Sequence, residues 1–268
     1  MKAFVFDVEF LWGFQARVAG LSKSPPSYLF PPPTTVIGAL SESLARRLGI
    51  GERDGVGIMR ELSQDLIAIS FKPLNAFPSS YMTLSRVLAI GNRKDTNYPT
   101  PKDVYLYKSF DAPARGSTFL GTIDGQPPII RYFIIFKDSS RVTHDDIWRI
   151  KRIGSRESLV SVARAWNADV KLEGTEGVVA TAVPEVEGIE IASRGGTIRE
   201  YYVYPYRFSD APAKIYLTDP SLVRPFIIPI PYVLQEFSFL EVKVHSPSFS
   251  IFSLRFEGQE DKVVGLAD

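Results

Sequence analysis

The segment FVFDVEFLWGFQARVAGLSKSPPSYLFPPPTTVIGALSESLARRLG, residues 4–49, contains three successive local patterns. Residues 3–11 alternate phenylalanine and valine with Asp7 and Glu9, which predicts a half-buried β-strand. Residues 12–33 contain five prolines and predict an extended, stiff loop. Apolar residues then recur at helical spacing until Gly49, so a helix is expected there, capped by Thr34 or Thr35.

Further elements follow in an order that suggests a fold. Residues 50–65 are interpreted as a loop, LIAISF at 66–71 and IIRYFIIF at 129–136 as strands, and the segment after Thr143 as a short capped helix. Residues 158–172 return as a strand or hairpin. This β-α-β-β-α-β order predicts an α+β, ferredoxin-like (RRM-like) fold. The long connection at about 73–128 is interpreted as a thumb-like functional insertion.

The carboxy-terminal third is predicted to be mainly β. An acidic stretch at 173–190 precedes the strand-like segments TIREYYVYPYR, VLQEFSFLEVKVHS and SFSIFSLRFEG. We therefore expect residues 1–172 to form the ferredoxin-like domain, and 173–268 to form a β-rich extension or second small sheet.

Composition excludes several classes of protein. With 31 Lys and Arg against 30 Asp and Glu, the net charge of +1 provides no global attraction for nucleic acid, so binding must use local patches. The absence of cysteine excludes disulfides, thiol catalysis and cysteine-ligated metals. No membrane-spanning stretch or signal peptide is recognised, and we expect a cytoplasmic protein without cofactor or metal.

Three segments are candidates for anion binding. Residues 10–41 contain cations, rings and hydroxyls but no carboxylate, and they enter a helix whose first backbone N–H groups point outward. Residues 149–164 contain five cations around a Gly154-Ser155 turn, and the 73–128 insertion is also basic. The candidate RNA-binding residues are Trp12, Phe14, Arg17, Lys23, Ser24, Tyr28, Thr34, Thr35, Arg93, Lys94, Arg152, Ser155 and Arg156.

Each segment also has a purely structural interpretation. The aromatic residues of 10–41 could cover the sheet while the prolines direct a surface crossing, and the cations of 149–164 could compensate a helix end. Catalytic patterns are weaker: His144 lies at a helix start and His245 in an alternating strand, and no catalytic residue is assigned. A metal-independent endoribonuclease using either histidine remains the alternative.

The residues quoted above resemble a known family. The first strand, the aromatic and arginine-containing loop and the motif Pro32-Pro33-Thr34-Thr35-Val36-Ile37-Gly38-Ala39-Leu40 resemble the amino-terminal signature of the CRISPR-associated Cas-five family, within the RAMP superfamily. The segment RIGSRESLV at 152–160 is similar to the archaeal type I-A branch.

That resemblance implies a non-catalytic subunit of the RNA-guided Cascade complex. Its implied partners are the 5′ handle of the guide RNA (crRNA), the Cas-seven-type backbone subunit and the large subunit. The small subunit and target DNA near the PAM are further candidates. In the type I-C branch, family members also cut precursor RNA, which is the source of the nuclease alternative.

Overall fold

The computed structural model describes residues 1–18, 25–51, 54–90, 107–207, 219–230 and 238–267. Within these ranges the helices are α1 (Pro33–Leu48), α2 (Gly55–Asp65) and α3 (His144–Trp148). The strands of the first half are β1 (Lys2–Phe10), β2 (Gly13–Phe14), β3 (Leu66–Pro73), β4 (Ala76–Ile90), β5 (Tyr107–Thr122), β6 (Ile129–Phe136) and β7 (Val160–Asn167). The strands of the second half are β8 (Asp169–Gly174), β9 (Glu176–Val179), β10 (Val183–Pro184), β11 (Ile189–Arg194), β12 (Thr197–Val203), β13 (Val223–Pro229), β14 (Phe239–Val244), β15 (Phe249–Phe256) and β16 (Gln259–Leu266). The protein is α+β and consists mostly of strands, as the sequence predicts.

A four-stranded antiparallel sheet in the order β3-β6-β1-β7 forms the centre of the molecule. The chain passes through α1 and α2 between β1 and β3, and through α3 between β6 and β7. All three helices contribute to the core on one face of the sheet. Buried side chains from the sheet (Phe6, Val8, Tyr132, Ile134), from α1 (Val36, Leu40, Leu44), from α2 (Ile58, Leu62) and from α3 (Ile147) form this core.

The opposite face of the central sheet is also covered. Strands β15 and β16 pack there, so that Val5 and Phe133 share a second core with Phe252 and Leu254. β1 is therefore buried on both faces, and the prediction of a half-buried strand was wrong. Asp7, which the alternation pattern placed toward solvent, is 3% exposed.

Asp7 tolerates this burial because it is paired. Arg131 donates two hydrogen bonds to its carboxylate, at 2.6 and 3.0 Å, and a third to Gln259 at 2.7 Å. The guanidinium also lies 5.3 Å from the ring centre of Trp166 and 5.2 Å from that of Phe256. The central sheet and the carboxy-terminal strands thus share an interior, and β8 crosses the boundary expected at residue 173.

The remaining described carboxy-terminal strands form two further sheets, β10-β13-β12 and β11-β14-β9. Tyr202 and Phe226 from the first of these sheets enter the core beneath the helices. The described part of 173–268 is thus built mainly of strands, in agreement with the sequence.

Residues 73–128, the expected insertion, contain a long antiparallel hairpin. β4 and β5 pair from Ala76 opposite Thr122 to Ile90 opposite Tyr107. At its base, β5 also pairs with the two-residue strand β2. The Cα of Pro26 lies 2.5 Å from where a Cβ on Gly116 would stand, so the hairpin meets the proline-containing loop at a position that requires glycine.

Two sequence predictions about helices need correction. Helix α2 lies within the segment that was interpreted as a loop. The sequence pattern did not reveal it because Gly55 and Gly57 obscured the helical spacing of buried Ile58 and Leu62. Helix α1 begins two or three residues earlier than expected, with Pro32 as N-cap and Pro33 as its first residue. Thr34 and Thr35 therefore lie in the first turn and do not cap the helix.

The expected helix boundaries elsewhere are confirmed. Gly49 ends α1 with a φ of 66°, the left-handed conformation that glycine adopts readily. Thr143 and Asp146 form a reciprocal capping box at α3. Burial raises the pKa of Asp146, but hydrogen bonds from Arg47 and Thr143 outweigh it and lower the pKa below its ordinary value.

Candidate nucleic-acid interface

Two segments that the sequence singled out separately meet in the structure. The N–H of Ser155 donates to the carbonyl of Gln15 at 2.9 Å, and the N–H of Gln15 donates to the hydroxyl of Ser158 at 2.9 Å. The indole N–H of Trp12 donates to the carbonyl of Glu157 at 2.8 Å. The loop after β1 and the turn before β7 are therefore joined by direct hydrogen bonds.

A cavity of about 790 Å³ opens where these segments meet the start of α1. Seven of the residues around it come from the loop and the helix start: Gln15, Ala16, Arg17, Tyr28, Pro32, Thr34 and Thr35. The others are Gly154, Ser155, Arg156, Glu157 and Val203. Arg17 and Arg156 are exposed. The cavity thus brings together six of the residues predicted to bind RNA.

A second cavity of about 400 Å³ adjoins the first along α1. The two share Thr35, Gly154, Ser155 and Arg156. The second adds Gly38, Ala39, Glu42 and Arg152, so a seventh predicted residue joins the same surface. We call the two cavities together the α1 groove.

Both cations and carboxylates line the α1 groove. Arg152 donates through Nε to Glu42 at 3.0 Å, and Arg46 also pairs with Glu42. Ser155 donates to the carboxylate of Glu157 at 2.7 Å. Among the described residues lining the groove, three arginines face two carboxylates, a local excess of positive charge that suits an anionic ligand.

The helix start offers fewer donors than the sequence suggested. Pro33 has no N–H, and the N–H of Thr35 bonds the carbonyl of Pro32 at 2.9 Å. Anion binding in the groove therefore depends chiefly on side chains.

The burial of two aromatic residues contradicts the prediction that they bind RNA. Phe14 is 0% exposed because β2 pairs with β5 and its ring packs edge-on against Phe10, at 6.2 Å between ring centres. Tyr28 is 5% exposed and packs edge-on against Tyr202 at 5.2 Å. Neither ring has a face open for a base. Trp12 is partly exposed and is the ring still suited to stacking.

Lys23, Ser24, Arg93 and Lys94 fall outside the described residues.

Sequence reasoning missed Glu200, which fixes the loop beside the cavity. Its carboxylate accepts the N–H groups of Leu29 and Phe30 at 2.6 and 3.0 Å, and the hydroxyl of Tyr202 at 2.6 Å. Burial raises its pKa, and these hydrogen bonds oppose the rise. In the sequence, Glu200 is one polar residue of an ordinary alternating strand, and no local signal marks its role.

Neither histidine lies in the α1 groove. The Nε2 atom of His144 is 3.2 Å from the carbonyl of Ala165, and its ring packs edge-on against Trp148. His245 is exposed, as predicted, and follows the last residue of β14; its Nε2 lies 3.3 Å from the carboxylate of Glu190.

The described residues contain neither a cluster of metal ligands nor a membrane-spanning helix. No group of three or more potential ligands there could hold a metal ion. None of the helices in the same ranges has the length and apolar character needed to cross a membrane.

Two known CRISPR proteins are similar to this chain. A CRISPR protein from Archaeoglobus fulgidus, known from a crystal structure, is 32% identical, with a TM-score of 0.72 over 100% of both chains. A protein of Saccharolobus solfataricus named "CRISPR-associated protein Cas5 2" is 24% identical over 171 residues, which span 62% of each chain. No protein-family model matches.

Proposed function

Because the chain belongs to the Cas5 (Cas-five) family of CRISPR-associated proteins, we propose that it binds the 5′ handle of the guide RNA. In this proposal it is a non-catalytic subunit of a type I-A Cascade complex, and the α1 groove holds the RNA. The observation that carries the proposal is the convergence of Arg17, Arg152 and Arg156, from separate parts of the sequence, on one groove.

The chemistry of the groove suits single-stranded RNA. Arginine side chains pair with phosphate oxygens, while hydroxyls such as those of Thr34 and Ser155 can bond phosphate or ribose. Sequence-specific recognition of RNA uses stacked bases, for which the partly exposed ring of Trp12 is available. Lys23, Ser24, Arg93 and Lys94 remain proposed contacts, as does a role for the β4–β5 hairpin as the thumb.

The topology supports the ferredoxin-like assignment. An antiparallel sheet in the order β3-β6-β1-β7 has the arrangement in which both helix-containing connections skip one strand. On this assignment, the protein is related to RNA-recognition folds and belongs to the RAMP superfamily. On the same basis we propose a ferredoxin-like part, residues 1–172, and a β-rich extension, residues 173–268, whose strands complete the core of the first part.

The proposed partners follow from membership of the family. We propose contacts with a Cas-seven-type backbone subunit and the large subunit, and further contacts with the small subunit and target DNA near the PAM. A protein that assembles with these partners around guide RNA works in the cytoplasm.

The test is RNA binding by a triple variant, Arg17→Ala, Arg152→Ala and Arg156→Ala. Each lost phosphate contact on a single strand should reduce the slope of log affinity against log salt by about 0.7, so the slope should fall by about 2. We expect affinity for handle RNA at low salt to fall by more than about tenfold. The measurement is fluorescence anisotropy across a salt series.

A matched control variant removes three positive charges from the carboxy-terminal strands instead of the α1 groove. Arg194, Arg199 and Arg255 are exposed arginines that pair with Glu241, Glu185 and Glu260 on the carboxy-terminal strands. Their triple alanine variant should bind handle RNA like wild type. Equal binding by the groove variant and wild type would contradict the proposal.

The same RNA also tests the nuclease alternative. Handle-bearing precursor RNA incubated in chelator should be recovered intact. Specific cleavage that is lost in His144→Ala or His245→Ala would replace the proposed function with an endoribonuclease.

A further inference from the structure

The second cavity of the α1 groove extends along the helix beyond its first turn. It begins at Thr35, which it shares with the first cavity, and continues past Gly38 to Glu42, one helical turn apart at each step. Arg152 and Arg156 line the same cavity. A chain molecule held in the first cavity therefore has a direct path along the surface of α1.

Gly38 lies in the middle of this path and is unusual for a residue inside a helix. A Cβ added there would meet no atom of the described residues within 4 Å. Alanine stabilises a helix interior relative to glycine, so packing within the described part of the chain gives no reason for glycine at position 38.

Other glycines of the chain show the contrast. An added Cβ would lie 2.0 Å from a backbone oxygen at Gly13, and 2.7 Å from the Cβ of Ala68 at Gly265. At those positions neighbouring atoms of the protein occupy the space. At Gly38 the helix backbone is partly exposed and borders an open, arginine-lined cavity.

The chemistry beside Gly38 identifies what can occupy this space. Arg152 is held through Nε by Glu42, and Arg156 and Ser155 lie at the boundary with the first cavity. Arginines and a hydroxyl beside a partly exposed backbone suit a sugar–phosphate chain. Such a bulky chain can approach the helix closely at a glycine, and its phosphates can pair with the arginine side chains.

We propose that the RNA strand leaves the first cavity along α1 and that its sugar–phosphate backbone contacts the main chain at Gly38. This inference rests on the proposed RNA-binding function and adds a path and a positioning residue to it. A methyl group at position 38 would hold the strand away from the helix and from Arg152.

The test compares Gly38→Ala with Gly57→Ala. Gly57 is also a helical glycine with open space, but it is exposed on α2 and lines neither cavity. Both variants should raise the thermal unfolding midpoint by about 2–4 °C, because both gain a better helix former. Only Gly38→Ala should weaken binding of handle RNA, by about five- to tenfold.

An RNA length series locates the effect. Handle RNA is shortened one nucleotide at a time, and the affinity ratio of wild type to Gly38→Ala is measured at each length. The ratio should fall to one when the RNA no longer reaches the second cavity. A uridine oligomer of the same length should show the same initial ratio, because the contact is with the backbone.

The outcomes separate this inference from the proposed function. If Gly38→Ala binds RNA like Gly57→Ala while the groove arginine variant binds weakly, the path along α1 is wrong and the proposed function stands. If the arginine variant also binds like wild type, both fail.

Discussion

Glu200 shows how one residue positions the groove and responds to pH. Its carboxylate receives two backbone N–H groups from the loop that carries Tyr28, and the hydroxyl of Tyr202. Burial disfavours the charged carboxylate more than these bonds favour it, so its pKa is raised. The folded protein therefore binds a proton at this site more tightly than the unfolded chain.

This difference predicts a pH dependence of stability. We expect the free energy of unfolding of wild type, relative to Glu200→Gln, to fall as pH rises from the ordinary glutamate pKa of 4.5 through the raised pKa. Above the raised pKa the difference should be constant. Urea unfolding at a series of pH values measures it.

Glu241→Gln is the control, since that carboxylate is exposed and pairs with Arg194 on the surface. A wild-type advantage over Glu200→Gln that rises with pH would show that the hydrogen bonds, rather than burial, dominate at Glu200.

At the scale of secondary-structure elements, the turn before β7 holds the groove together. Gly154 has a φ of 121°, and a Cβ there would lie 2.8 Å from the carbonyl of Gln15 and 2.8 Å from the hydroxyl of Ser158. These are the residues that join the turn to the loop after β1.

Gly154→Ala should therefore separate the two segments. We expect a loss of about 1–3 kcal/mol in the free energy of unfolding, from backbone strain and overpacking, and weaker RNA binding. Chemical denaturation and anisotropy measure the two effects.

Gly125→Ala is the matched control for Gly154→Ala. Gly125 also has a positive φ, 70°, but an added Cβ there meets no described residue within 4 Å. It should lose stability through the backbone alone and keep RNA affinity. Unchanged RNA binding by Gly154→Ala would show that the groove does not depend on this junction.

The whole molecule depends on strands from both ends of the chain. The carboxy-terminal strands cover one face of the central sheet, where Val5, Phe133 and Ile135 pack against Phe252 and Leu254. Each large apolar side chain contributes about 1.5–3 kcal/mol when buried. Exposing three of them removes a large part of the roughly 5–15 kcal/mol that stabilises a typical domain.

A fragment of residues 1–172 should consequently not fold alone. We expect it to aggregate or to lack dispersed amide signals in NMR spectra, whereas the full chain under the same conditions is folded. A monomeric fragment with dispersed signals and cooperative unfolding would establish residues 1–172 as an independent domain.

Local patterns in the sequence were sufficient for much of the architecture. The alternation of β1, the spacing and final glycine of α1, and the capping box at Thr143 each depend on residues a few positions apart. The helical pattern of α2 was missed because two glycines weakened the same kind of signal. The family resemblance of residues 4–49 could likewise be recognised without a structure.

The groove and the burial pattern needed the folded chain. The bonds between Gln15 and residues 155–158 join positions about 140 apart, and Glu200 lies 171 residues from Leu29. Contacts at such separations leave no periodicity for the sequence to display. The inward turn of Phe14 and the burial of Asp7 have the same origin, because each is imposed by a strand that is distant along the chain.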